Sequence, residues 1–176
     1  MKKLLLLTLL SVLSVTTNYA QSGKMWSAVP NADGISKAKS VERQNFPEEV
    51  NLFQLDLTLL RQKLTATPDR FNATAKGTVV SIPNASGSTE RFTMFEASNF
   101  DPELQAQFPE IRAFSGKGIT DRYATLKLSL SPQGIQTMVF RTDKENEFIE
   151  PYSQDHTVYA VFKSQREKGK LAWTCA

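Results

Sequence analysis

The clearest periodicity in the chain lies at Tyr123–Leu130, where Ala124, Leu126, Leu128 and Leu130 alternate with Tyr123, Thr125, Lys127 and Ser129. A period of two with one apolar side marks a strand whose greasy face is buried. Ser131-Pro132-Gln133-Gly134 follows, with proline at the second position of a four-residue turn. Ile135–Arg141 then returns, which predicts an antiparallel hairpin. A polar turn at Thr142–Asn146 leads into Glu147–Ile149 and Thr157–Lys163, completing a meander. Upstream, Thr78–Ile82 and Arg91–Phe95 flank the turn cluster Pro83–Ser88 and predict a second hairpin with a longer loop. Val50–Leu57 reads as a further strand.

Two short helices punctuate this pattern. Asp56 is placed to cap Leu57–Leu64, with Leu57, Leu60 and Leu64 on one side and Pro68 beyond its end. Asp101-Pro102-Glu103-Leu104 combines a capping carboxylate, a proline suited to the first helical position and an acid at the positive end of the dipole. Leu104 and Phe108 are four apart and are expected to share a buried face before Pro109 stops the helix. Six or seven short strands with two small helices predict an α+β class, mainly an antiparallel β-sheet of hairpins and a meander. Phe92, Phe95, Tyr123, Phe140, Tyr159 and Phe162 fall in predicted strands and are expected in the core. Gly116-Lys117-Gly118 reads as a bend between strands, since no helix start follows at the spacing of a phosphate loop.

The N-terminal twenty residues follow another logic. Lys2 and Lys3 precede an apolar run, Leu4–Val15, broken only by Thr8, Ser11 and Ser14, and Asn18-Tyr19-Ala20 offers a small residue at a cleavage point. The run is far shorter than the roughly 20 apolar residues of a membrane helix, and no cysteine follows it to carry a lipid. Met1–Ala20 is therefore expected to be a cleavable signal peptide, cut between Ala20 and Gln21. The mature protein would be secreted or periplasmic, without a stable membrane anchor. Gln21–Glu49 is polar, with isolated apolar residues and prolines at 30 and 47, and is expected to be a flexible leader to a domain spanning residues 50–176.

Charge and composition narrow the chemistry. The chain has 21 Lys+Arg and 18 Asp+Glu, and removing Lys2 and Lys3 leaves 19 against 18. Near-neutrality gives no electrostatic case for nucleic acid as a partner. One cysteine rules out an internal disulfide framework, and one histidine rules out any motif needing two. His156 beside Asp155 lacks a second His or Cys spaced to join it at a metal, so a surface loop is the expected setting. Glu145, Glu147 and Glu150 are expected to be solvated rather than a catalytic carboxylate pair. Lys163, Arg166, Lys168 and Lys170 form a basic stretch interrupted by Glu167, without the interleaved aromatics of a nucleic-acid surface.

Several segments taken in order resemble the pro-region of secreted bacterial reprolysin-like (metzincin) zinc metallopeptidases. They are Leu52-Phe53-Gln54-Leu55-Asp56, Phe95-Glu96-Ala97-Ser98, Asp101-Pro102-Glu103-Leu104, Phe108-Pro109-Glu110-Ile111-Arg112, Phe114-Ser115-Gly116-Lys117-Gly118, Leu130-Ser131-Pro132-Gln133-Gly134 and Phe148-Ile149-Glu150-Pro151-Tyr152. Together they span about two-thirds of the chain. The resemblance implies a propeptide that follows a signal peptide, helps a protease fold and keeps it latent. The catalytic part of such an enzyme needs His-Glu-x-x-His and a third His, so this chain is expected to be non-catalytic, a pro-region standing alone or the product of a truncated gene.

With that resemblance, Cys175 becomes a candidate ligand for the zinc of the partner protease, in trans or from a missing domain. A thiolate at about 2.3 Å would take the place of the attacking water, in the manner of a cysteine switch. The plainer reading of Cys175, a buried or frayed thiol without such a role, stays open. Arg166, Lys168 and Lys170 would form a processing loop for a trypsin-like activator. The chain itself is expected to need no cofactor beyond that zinc, and the expected partner is a secreted zinc metallopeptidase catalytic domain. A standalone secreted binding module, surface- or glycan-directed, is the alternative from a different class. A small hydrolase is the weakest reading, because no nucleophile–base pair is visible.

Overall fold

The computed structural model describes residues 24–37, 46–72 and 74–164. Nine strands form one antiparallel sheet: β1 (Trp26–Val29), β2 (Asn51–Leu55), β3 (Thr78–Pro83), β4 (Thr89–Glu96), β5 (Arg112–Gly118), β6 (Thr125–Ser131), β7 (Gly134–Phe140), β8 (Glu147–Pro151) and β9 (Val158–Lys163). Their order across the sheet is β1-β2-β9-β8-β7-β6-β5-β4-β3. From β3 to β9 each strand lies beside its successor in sequence, so the meander needs only hairpins and short connections. The sheet curls into a half-barrel.

Alternation along each strand divides the residues between the two faces. Phe92 and Met94 of β4, Leu126, Leu128 and Leu130 of β6, Ile135 and Val139 of β7, Ile149 of β8 and Tyr159 and Val161 of β9 point inward and form one core. The hairpin register pairs Leu126 with Val139 and Leu130 with Ile135. A slip of one residue would turn this whole set outward, so burial fixes the register. Gly116 sits where β5 crosses the core: a Cβ there would run into Met94 Sδ. At Gly118 a side chain would collide with the backbone of Asp121. The Gly-Lys-Gly stretch is therefore strand, and its glycines permit close approach rather than a bend.

Two helices complete the described residues, α1 (Leu57–Thr65) and α2 (Pro102–Gln107). Asp56 caps α1 by accepting from Leu59 N, and Asp101 caps α2 by accepting from Leu104 N. Leu60 and Leu64 of α1 are fully buried in the barrel core. Arg61 on the other side reaches Ser131 O at 3.0 Å, tying α1 to the β6–β7 turn. This helix plugs one end of the half-barrel.

The α+β class expected from the pattern is overturned. Strand makes up 44% and helix 11% of the described residues, so the fold is mostly β. The helices are where the sequence places them, but they build no layer. α1 contributes two side chains to the barrel interior, and α2 buries none of its residues. Leu104 and Phe108, expected to face the core, are exposed. A two-turn helix on a connection between adjacent strands has no second surface to pack on.

The stretch expected to be a flexible leader is also revised where it is described. Trp26–Val29 forms β1 against β2, with Trp26 opposite Leu55 and Val29 opposite Leu52. Trp26 is buried, edge-on to Phe53 and Tyr159. Val29, Ile35 and Phe46 cover a second apolar cluster on the outer face, formed by Leu52, Tyr152, Val158, Ala160 and Phe162. Isolated apolar residues give no periodic signal, yet here each lands on one of the two faces of β2–β9–β8. The signal-peptide junction at Ala20 and Gln21 lies outside the described residues.

Leu60→Ala should cost about 2–5 kcal/mol in unfolding free energy, the range for deleting a buried leucine with partial collapse of the cavity. Leu104→Ala on exposed α2 should stay within about 0.5 kcal/mol of the unaltered chain. Urea denaturation of both variants tests this division of labour between the helices.

Candidate functional site

The barrel end opposite α1 is closed by charge rather than by a helix. Glu90 is in phase with inward Phe92 and Met94, Arg141 with Val139, and Glu147 with Ile149, so all three follow the apolar alternation to the rim. There the Arg141 side chain, 2% exposed, bridges Glu90, Glu147 and Asp121. Its Nη2 donates to Glu90 Oε2 at 3.0 Å and Glu147 Oε2 at 2.8 Å, and Nη1 donates to Asp121 Oδ2 at 3.0 Å. Burial by itself would lower the pKa of Arg141, but the hydrogen bonds and charges of Glu147 and Glu90 outweigh it and hold it above its ordinary value. The cation is permanent.

One guanidinium thus joins three connections of the meander. Asn84 in the β3–β4 turn donates to Glu90 Oε1, and Asp121 Oδ1 accepts from Tyr123 N in the β5–β6 connection. Asn146 in the β7–β8 turn accepts from Arg141 N and, through its carbonyl, from Ser164 N. An open cleft of about 1510 Å³ lies beside this plug, lined in part by Glu48, Asn51, Arg141, Glu145, Lys163 and Ser164. Glu147, expected to be solvated, is buried in the plug. Glu145 instead stays exposed, 3.9 Å from Lys163.

At the α1 end, Glu96, Ser98 and Arg112 come together. Arg112 binds the Glu96 carboxylate with two nitrogens, Ser98 Oγ donates to Glu96 Oε1, and Ala113 N donates back to Ser98 Oγ. Arg70 N donates to Glu96 O, and its guanidinium reaches Asn99. This corner is an ion-paired clasp where β4 passes into α2 and on to β5. Phe71, Phe100, Leu104 and Phe108 around it remain exposed.

His156 occupies the β8–β9 connection with φ of 57°, a left-handed position in a tight turn. The neighbouring Asp155 accepts from Ser153 Oγ, Thr157 N and Thr157 Oγ1, which hold its carboxyl below the usual range. These bonds favour the ionised form, so their contribution is present at neutral pH and fades as the pH falls through that lowered pKa. Ser153 Oγ also accepts from Thr157 N and Val158 N, which commits it to the turn. Among the described residues no group of three or more His, Cys, Asp or Glu is placed to hold a metal ion. Cys175, Arg166, Lys168 and Lys170 lie outside the described residues. Against protein-family models, curated proteins and solved structures, the chain gives no match.

The charged plug was missed by reading the strands for apolar residues alone. The signal was present: Glu90, Arg141 and Glu147 are charged residues in the buried phase of their strands, one residue step from where each strand meets a turn. Arg141→Met should cost about 3–5 kcal/mol, because it leaves carboxylates buried without their cation. Adding Glu90→Gln and Glu147→Gln to Arg141→Met should recover part of that loss. Chemical denaturation at neutral pH measures both.

Proposed function

We propose that this chain is an exported, non-catalytic propeptide-like domain that binds a zinc metallopeptidase of the reprolysin-like class, assists its folding and keeps it inhibited. The observation that carries the reading is the ordered set of segments from Leu52 to Tyr152 that resembles the pro-region of such enzymes. In support of the reading, Glu96, Ser98 and Arg112 from these segments are bonded to one another at one corner, and Leu130–Gly134 makes the turn of the central hairpin. Large apolar side chains left on the outside at both barrel ends suit a domain that works by contact.

In this reading the inhibitory group is Cys175. It follows Ser164, at the plugged end, by eleven residues. The thiolate would ligate the catalytic zinc of the bound enzyme in place of water.

Inhibition of a purified reprolysin-like catalytic domain by the mature chain, compared with its Cys175→Ser variant, tests the proposal. The unaltered chain should inhibit, and Cys175→Ser should raise the inhibition constant by at least tenfold with an unchanged melting temperature. Equal potency of the two would remove the zinc–thiolate step. No inhibition and no rescue of refolding by either would remove the propeptide role.

A further inference from the structure

The two edges of the sheet face each other with backbone groups that the sheet leaves unused. Asp56 N donates to Met25 O, so Met25, Ser27 and Val29 turn their backbone groups toward β2 and Trp26 and Ala28 turn theirs away from it. On β4, Arg91 O accepts from Ile119 N on the far side from β3, so Arg91 and its partner Ser81 share no backbone bond. Ser81 O instead accepts from Trp26 Nε1 across the seam, and Val79 and Pro83 are in the same outward phase. Trp26 N, Ala28 N, Val79 N and Ser81 N have no hydrogen-bond partner among the described residues. Tyr123 and Phe140, which residue type places in the core, are exposed beside the middle strands, away from this seam.

The seam has the width of one strand. β1 and β3 do not pair, and over nearly all their length their Cα atoms lie more than 8 Å apart. Neighbouring strands are separated by about 4.8 Å. At Trp26 one indole and one hydrogen bond of 3.0 Å cross the seam, which holds the backbones there to about 10 Å. Two strand spacings amount to about 9.6 Å. Ala28 lies opposite core residue Phe53, in the inward phase, and yet is exposed. The inner side of β1 is therefore uncovered next to the seam.

Parity and chemistry define what fits. Nine antiparallel strands give edges that run in the same direction, so the edges cannot pair antiparallel with each other. A single strand between them can run antiparallel to both. Two facing rows of amide and carbonyl groups are matched by an extended backbone, the mode of strand addition at a sheet edge. No described strand of a second copy can enter, because each is already paired within its own sheet. The occupant must be a segment free on both sides. Pro30 and Pro83 offer no N–H to the seam, and Asn51 Nδ2 bonds Ala85 O across it, so pairing ends at the plugged end.

We propose that the β1–β3 seam binds an extended segment of a partner polypeptide as a tenth strand, antiparallel to both edges and about as long as the four residues of β1. Trp26, Ala28, Val79 and Ser81 supply the backbone donors. Alternate side chains of the segment are apolar and cover Ala28 and the Trp26 indole, and the others lie beside exposed Val79 on the outer face. The proposal is independent of the propeptide reading, which the inhibition assay tests separately.

A display library of random eight-residue peptides, selected on the mature chain, supplies the probe. Enriched peptides should alternate apolar and polar residues, lack proline, and slow hydrogen exchange at the amides of Trp26, Ala28, Val79 and Ser81 at least tenfold. Methylating the backbone nitrogens of such a peptide, with its side chains unchanged, should weaken binding at least tenfold. Ala28→Pro removes a seam donor without touching the β1–β2 bonds and should weaken binding to the same extent; the methylated peptide keeps the test valid where this variant folds poorly. No enrichment, protection confined to other amides, or binding indifferent to methylation would overturn the proposal. Slow exchange at all four amides in the free chain would also overturn it, by showing that the chain itself or a second copy already fills the seam.

Discussion

Closure is the constraint on which the rest of this structure depends. Nine strands in a fully antiparallel sheet leave the two edges, β1 and β3, running in the same direction. Side chains hold this seam together. Trp26 Nε1 donates to Ser81 O at 3.0 Å, and Asn51 Nδ2 donates to Ala85 O at 2.7 Å, at two heights of the seam. Trp26 is at once a seam donor and a core residue against Phe53 and Tyr159. Pro83 on β3 removes one donor from the edge, a common protection against unwanted strand pairing.

Once the sheet curls, its ends must be stoppered, and the two stoppers differ in kind. At one end Leu60 and Leu64 of α1 fill the opening with apolar volume. At the other, Arg141 draws Glu90, Asp121 and Glu147 into one hydrogen-bonded group. The apolar stopper supplies stability by burial. The charged one contributes less net free energy, because desolvation offsets much of the attraction, but it specifies which turns meet. That specificity is what sets the connection bearing Tyr123 in place.

Much of this was legible in the strands and caps. The β6–β7 hairpin, the β3–β4 hairpin and both capping aspartates follow from local chemistry, which acts over a few residues and leaves a local mark. The errors came from longer-range physics. β1 was hidden because Trp26 and Val29 bury on opposite faces of strands contributed from elsewhere in the chain. Tyr123 and Phe140 were assigned to the core by residue type, although their phase opposes that of Ala124, Leu126 and Val139. The charged plug obeys that same phase, with charged residues where apolar ones were sought. Two short helices beside the strands suggest an α+β class, but one is a plug and the other a connection, so the fold is mostly β.

The decisive point of the proposed role is whether Cys175 meets zinc in a bound enzyme. Zinc-edge X-ray absorption of the purified complex between the mature chain and a reprolysin-like catalytic domain measures that directly. The account predicts one sulfur among the zinc ligands at about 2.3 Å, absent from the free enzyme. A complex whose zinc keeps only nitrogen and oxygen ligands would contradict it.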